Sequence, residues 1–154
     1  MADRDEQKPV MSIVSVILGE HAVLQHMFSE VDRALVETRA LPEVLRHGRV
    51  LQSLLLGHAK LEDRHLMPAL ERDLGPQGPI LHSEHQEIDD LFRSFKRSKT
   101  RDEAARRLLE VIDVAREHFA KEEQLVLKLL SDLSPALQSK IARLWIADRG
   151  LNAD

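Results

Sequence analysis

Apolar residues recur along the chain at alternating spacings of three and four, the period of a helix that buries one face. The first run is the seam Val10, Val14, Ile17, His21, Leu24, Phe28, Val31 and Leu35, and it predicts a helix over residues 10–38. Leu41-Pro42 opens a second helix, with the proline in the first turn, where its missing N–H costs nothing; the stretch LGPQGP, from Leu74 to Pro79, ends it. A third helix is expected over 80–98 on the seam Leu81, His85, Ile88, Phe92 and Phe95. TRDE then reads as a capping box, with Thr100 as N-cap and Glu103 reaching back. The fourth helix runs to about Leu130 on Ala104, Leu108, Val111, Ala115, His118, Glu122, Leu125 and Leu129. Ser134-Pro135 starts a short fifth helix that carries Trp145 and stops near Gly150. No strand alternation bounded by turn residues is present. The expected fold is all-α: an up-down-up-down four-helix bundle over 10–131, a C-terminal helix over 134–150 packed on its outside or end, and a disordered tail over 1–9.

Each of the four long seams is interrupted by polar residues. Positions that the period assigns to apolar side chains hold His21, His58, His85 and His118, and in the second and fourth helices the next seam position holds Glu62 and Glu122. The second and fourth helices thus repeat His-x-x-x-Glu, in HAKLE and HFAKE, and the first and third repeat Glu-His, in EHAVL and EHQEI. The halves of the chain read as two copies of one helical hairpin. Burying an unpaired charge is expensive, and six polar groups on inward stripes call for a common partner. A metal centre supplies one. Imidazole and carboxylate bind first-row transition metals, and a cation offsets the charge of the two carboxylates. Residues four apart lie one turn apart on the same helix face, so each His-x-x-x-Glu can reach one centre. Two glutamates on facing helices are suited to bridging two metals, with the four histidines divided two per metal. Zinc favours closed tetrahedral sites, so two irons are the expected pair, with manganese or a mixed iron–manganese pair compatible with the same ligands. The alternative is a set of buried histidines bonded to the glutamates without metal.

Composition narrows the chemistry further. The chain has no cysteine, which removes thiolate ligands, disulfides and cysteine nucleophiles, and no tyrosine, which removes a tyrosyl radical. The formal net charge of -4 is not that of a nucleic-acid binder. The N-terminal MADRDEQKPV is polar, and MSIVSVIL is far short of a membrane span. The expected location is the cytoplasm, with no membrane partner; the oligomeric state, monomer or dimer, stays open.

With Glu20-His21, HAKLEDRHLMP, Glu84-His85 and HFAKEE in place, the chain resembles the hemerythrin-like, or HHE cation-binding, domain family over about residues 17–130. The resemblance implies a four-helix bundle around a non-haem di-iron centre, oxo- or hydroxo-bridged. Its ligands would be His21, His58, His85 and His118, with Glu62 and Glu122 as bridging carboxylates. Oxygen-carrying members place two histidines four apart on the third helix, whereas the nearby pair here is His82 and His85. They also use an aspartate five residues after the fourth-helix histidine, whereas Glu122 here follows His118 by four. The chain is closer to the four-histidine, two-glutamate type of bacterial di-iron proteins linked to nitric oxide stress and iron–sulfur cluster repair, but it lacks their cysteine-bearing domain. The implied function is binding of dioxygen, nitric oxide or peroxide as carrier or sensor. The alternatives are an enzyme that decomposes peroxide or reduces nitric oxide, and an iron-handling or repair protein.

Further residues carry weaker expectations. His65 occupies the seam position one turn beyond Glu62 and is a seventh candidate ligand, for the iron held by His85 and His118. His82 is expected near the mouth of the bundle or exposed, and His26 and His47 at the surface or its boundary. Asp63 and Glu123 point about 100° away from the bridging glutamates, toward solvent or the ligand histidines. Glu20 and Glu84 are placed either to orient a histidine ring across a helix interface or to face solvent. Phe28 and Phe92 are candidates to wall a dry pocket for a small gas.

Overall fold

A computed structural model describes residues 11–151. The tail expected over 1–9, and Val10 of the first seam, lie outside the described residues. The helices are α1 (Ile13–Glu37), α2 (Leu41–Leu61), α3 (Met67–Leu74), α4 (Gln77–Lys96), α5 (Arg101–Asp132) and α6 (Pro135–Asp148). A single π-helical turn, Glu62–Leu66, joins α2 to α3 without a break, so the two form one long rod. Among the described residues there is no strand. α1, the α2–α3 rod, α4 and α5 pack in that order around one axis, and α6 lies on α1 and the π turn.

Local chemistry sets the ends. The Ser12 hydroxyl accepts from the Val14 N–H, Thr100 from the Glu103 N–H and Ser134 from the Leu137 N–H, each satisfying a donor that the first turn leaves unpaired. Glu103 reaches back as expected, but to the Lys99 N–H. Gly75, at φ 49°, ends α3 in a conformation that a Cβ would strain.

Two apolar clusters fill the interior. One gathers Phe28, Leu51, Leu55, Phe92, Phe95 and Leu108 among its members. The other gathers Ile17, Leu66, Leu70, Val126, Leu130 and Trp145. Between them lies one polar layer, made of the six seam residues, each at most 5% exposed. Two seams differ from expectation. Ile13 rather than Val14 is buried at the start of α1, and past Glu122 the buried positions are Val126 and Leu130 rather than Leu125 and Leu129. A straight helix drifts against a strict three-four repeat, and α6 covers the face that the drift exposes.

Gly48 of α2 lies directly under a side chain of α4. A Cβ there would lie 2.2 Å from Cε1 and Cζ of the buried Phe95 ring. Gly48→Ala gains about 1 kcal/mol of helix propensity but overpacks a site with no free volume, at roughly 3 kcal/mol. The expected net loss is about 2 kcal/mol, read as a lower denaturant midpoint at unchanged slope; an unchanged midpoint would mean that the ring moves freely.

Candidate metal centre

The polar layer is built by helix register. His21 on α1, His58 on α2, His85 on α4 and His118 on α5 sit one turn from apolar seam neighbours and point inward with them. Glu62 opens the π turn, and Glu122 lies one turn after His118. The π turn has a local cause. Pro68 has no N–H to donate and its ring crowds the carbonyl four residues back. The Met67 N–H donates instead to the Glu62 carbonyl, five residues back.

The six side chains form two overlapping sets, His21, His58, Glu62 and Glu122, and His85, His118, Glu62 and Glu122. Within each set the donor atoms lie within 4.8 Å of one another. Each glutamate divides its oxygens between the sets. Glu62 Oε1 is 2.9 Å from His58 Nε2 and its Oε2 is 3.1 Å from His85 Nε2. Glu122 Oε2 is 3.4 Å from His21 Nε2 and its Oε1 is 3.2 Å from His118 Nε2.

Around this core runs a closed ring of carboxylates, one from each rod to the histidine of the next. The His58 Nδ1–H donates to Glu20 of α1 at 2.7 Å, and the His85 Nδ1–H to Asp63 of the π turn at 2.9 Å. The His118 Nδ1–H donates to Glu84 of α4 at 2.7 Å, and the His21 Nδ1–H to Glu123 of α5 at 3.1 Å. Of the two roles open to Glu20 and Glu84, orienting a ring is the one they take, and Asp63 and Glu123 do the same. With every Nδ1 proton engaged, all four Nε2 atoms face the interior.

That arrangement fits a cation pair. His21 Nε2 and His58 Nε2 are 3.1 Å apart, and His85 Nε2 and His118 Nε2 are 2.9 Å apart. Two imidazole lone pairs at such a distance repel unless a proton or a metal lies with them. Glu62 Oε2 and both oxygens of Glu122 are fully buried without a hydrogen-bond partner, a rare condition in a folded protein. Two carboxylates and four neutral imidazoles, pre-oriented by outer carboxylates, make an oxygen–nitrogen donor set suited to divalent first-row metals.

Without metal, protons take the cation's place. Burial alone lowers the pKa of a histidine, but Glu122 and Glu62 beside His21 outweigh it and raise that pKa to about 10. Burial likewise opposes, and Asp63 and Glu62 overcome, a rise of His85 to about 10; Glu62 and Glu20 raise His58 to about 9 in the same way. Glu20, despite burial, is lowered to about 2 by His58, Arg149 and Trp145. The signs give a pH profile for the metal-free protein. The histidine contribution is complete below the unfolded value of about 6.5 and is lost as pH rises toward 9–10; the Glu20 contribution is complete above its unfolded value and is lost as pH falls toward 2. Metal-free stability should therefore decline from pH 6.5 to 10, while metal affinity rises over the same interval because metal displaces those protons. Denaturation and metal titrations across that interval check both slopes, and slopes of the same sign would contradict the account.

His65 is the departure. Its Nε2 lies 2.8 Å from Asp148 Oδ2 on α6, a carboxylate it shares with Arg64, and it joins neither set of donors. The sequence reading assumed an unbroken α-helix from Glu62 to His65, and the wider π turn rotates His65 off the seam. His65→Leu should leave metal content and absorption spectrum unchanged; a lost metal would restore it as a ligand. His82 is exposed; its Nδ1–H donates to Asp63 and its Nε2 accepts from the Gln86 side-chain N–H. It falls with Asp63 and His85 in a third, outer group that could hold a cation. His26 is exposed beside Glu30, and His47 is half-buried.

A cavity of about 10 Å³, close to the volume one water needs, adjoins the cluster between the apolar Leu55, Ile88 and Phe119 and the imidazoles of His58, His85 and His118. Its walls are not Phe28 and Phe92, which are buried in the apolar cluster. An open groove of about 500 Å³ between α2 and α4 meets this cavity at Ala59 and His85.

Sequence reasoning expected α6 to pack on the bundle but missed the side chains that attach it. Trp145, fully buried, donates its indole N–H to Glu20 Oε1 at 2.8 Å, and Arg149 donates to both Glu20 oxygens, at 3.0 and 2.6 Å. Nothing in local spacing signals such a contact.

No helix among the described residues is long and apolar enough to cross a membrane. No curated protein and no solved structure matches the chain. The sequence profile of the hemerythrin HHE cation binding domain matches residues 12–130, which span all six seam residues and the four carboxylates around them. With a helical bundle of that kind and a buried His/Glu cluster at its centre, the chain belongs to the hemerythrin HHE cation-binding domain family.

Proposed function

We propose that the chain holds two irons. His21 and His58 would ligate one, His85 and His118 the other, and Glu62 and Glu122 would bridge them. The observation that carries this reading is the direction of the imidazoles: four Nδ1–H groups donate outward to carboxylates, so four Nε2 lone pairs converge on two glutamates, three of whose four oxygens are buried without a hydrogen-bond partner. Iron is preferred to zinc because two carboxylates, each divided between two sets of donors, suit a bridged pair better than separate tetrahedral sites. Manganese or a mixed pair would use the same atoms.

The pair would serve to bind a small molecule, as carrier or sensor. When bound, ferrous iron supplies an open position and electrons to dioxygen, nitric oxide or peroxide. The chain's part is selection and protection. The cavity against the imidazoles holds about one water, so a diatomic ligand would need Leu55, Ile88 or Phe119 to give slightly, and those apolar side chains would exclude larger or charged molecules. Phe119 also stacks on the His21 ring, with centroids 4.1 Å apart, and holds it in place. Apart from the proposed ligands the lining offers no side chain that could deliver a proton, which favours reversible binding over turnover.

Elemental analysis of protein expressed in iron-replete cells tests the first step, with about two irons per chain as the expected result. Absorption spectra of the reduced protein under dioxygen, nitric oxide or peroxide test the second. A stable, reversible adduct supports a carrier or sensor, whereas steady consumption of peroxide or nitric oxide would replace that reading with an enzyme.

A further inference from the structure

The two halves of the centre are related by the sequence repeat, but their surroundings are not. Glu84, which orients His118, has one further partner, the exposed Lys121 ammonium. Glu20, which orients His58, is gripped by α6 through three N–H groups of Trp145 and Arg149. The Trp145 ring also meets the His58 ring edge to face, with centroids 5.5 Å apart. Two more contacts tie α6 to the layer, because Asp148 accepts from Arg64 and lies against His65 in the π turn that carries Glu62.

The route of Arg149 to Glu20 depends on a glycine. The guanidinium crosses α2 at Gly57, where a Cβ would come within 3.1 Å of Arg149 Nη1. Among the described residues no helix grips the opposite half in this way: the groove between α2 and α4 reaches His85 and its partner Asp63, whereas the groove on the α6 side reaches Glu20 but not a histidine. The family match ends at residue 130, before α6 begins, so Trp145 and Arg149 lie outside the matched segment.

We propose that Arg149 and Trp145 are positioning residues that act through Glu20 on His58, and that they make the His21/His58 half the more firmly held of two inequivalent metal positions. The inference rests on the metal-pair reading. Three fixed donors confine the Glu20 carboxylate to one position, and the carboxylate confines the ring and the tautomer of His58, so Nε2 stays aimed at its metal. Glu84 depends on a single exposed lysine, and His118 and His85 are correspondingly freer to release theirs.

The experiment uses the full chain loaded anaerobically with ferrous iron. Iron content is measured first, and release to excess of a colour-forming ferrous chelator is then followed in time. The wild-type chain should bind two irons and release them in two phases of equal amplitude. Arg149→Ala should speed the slow phase about 10- to 100-fold, the usual effect of losing an outer partner of a metal ligand, and leave the fast phase unchanged. Gly57→Ala, which crowds the guanidinium without removing it, should act in the same direction to a smaller extent. Glu20→Gln should match Arg149→Ala, and the double variant should be no faster than Glu20→Gln alone, because the arginine works through that carboxylate. Lys121→Ala should affect the fast phase only.

A wild-type chain that binds no iron overturns the metal reading and this inference with it. Two irons released in a single phase, or an Arg149→Ala chain whose two phases quicken equally, overturn this inference alone. Equal quickening would assign α6 a general packing role.

Discussion

Loading the protein with the two proposed metals should raise the thermal midpoint by roughly 10–20 °C. A ligand that binds only the folded state stabilises it by about 2.7 kcal/mol per site at a hundred times its dissociation constant, and the two sites together contribute about 5 kcal/mol. For a chain of this length each kcal/mol moves the midpoint by roughly 2–4 °C. The layer is suited to a gain of this size because its ligands are costly to bury without a cation. Three carboxylate oxygens lack hydrogen bonds, and two pairs of Nε2 atoms face each other at 3.1 and 2.9 Å. Calorimetry of metal-loaded and chelator-stripped protein measures the shift. An unchanged midpoint at saturating metal would mean that protons satisfy the layer as well as metals do, and the centre would then be a polar core without a cofactor.

Glu62→Ala should abolish both proposed metal positions at once. Glu62 is within 2.9 Å of His58 on one side and 3.1 Å of His85 on the other, so its loss strips an anionic donor from each set. Iron content is expected to fall from about two per chain to near zero, a larger effect than removing any one histidine. The metal-free fold should also lose about 3 kcal/mol, the lower end of the cost of breaking a buried charge pair, since a histidine left alone can shed its proton. Burial raises and the histidines lower the Glu62 pKa; the histidines prevail, which places it well below the usual value, so the ionised form is the one removed. Retained iron in this variant would show that Glu122 and the outer carboxylates suffice, and that Glu62 does not bridge. Glu123→Ala is a useful contrast, since that carboxylate touches only His21 and is exposed, and it should weaken one position without emptying the centre.

The contrast between Glu62 and His65 shows how far a linear reading reaches. Both lie on the expected seam, three residues apart. Glu62 is held at the centre because the helix leading to it is regular from Leu41 onward. His65 leaves the centre because the next turn takes five residues of π geometry at Pro68, and its ring then meets Asp148 of α6. Proline after a histidine-rich stretch was visible in the sequence, but its effect on the preceding turn was not.

Asp63 and Glu123 make the same point in reverse. Helical geometry turned them off the seam, which is correct, but a residue off its own seam can sit on the seam of a neighbour. Each meets the histidine of an adjacent helix, and only the lateral packing of the rods brings them there.

The sequence by itself determined the helical period, the burial of one stripe per helix and the six polar interruptions of those stripes. These are local consequences of 3.6-residue geometry and of the cost of burying charge, and they need no knowledge of neighbours. The tertiary structure decided the rest. Glu20 and Arg149 are 129 residues apart, and His21 and Glu123 are 102 apart. No periodic pattern relates positions so distant; their contact depends on helix rotation, on the π turn and on a glycine that lets a side chain cross.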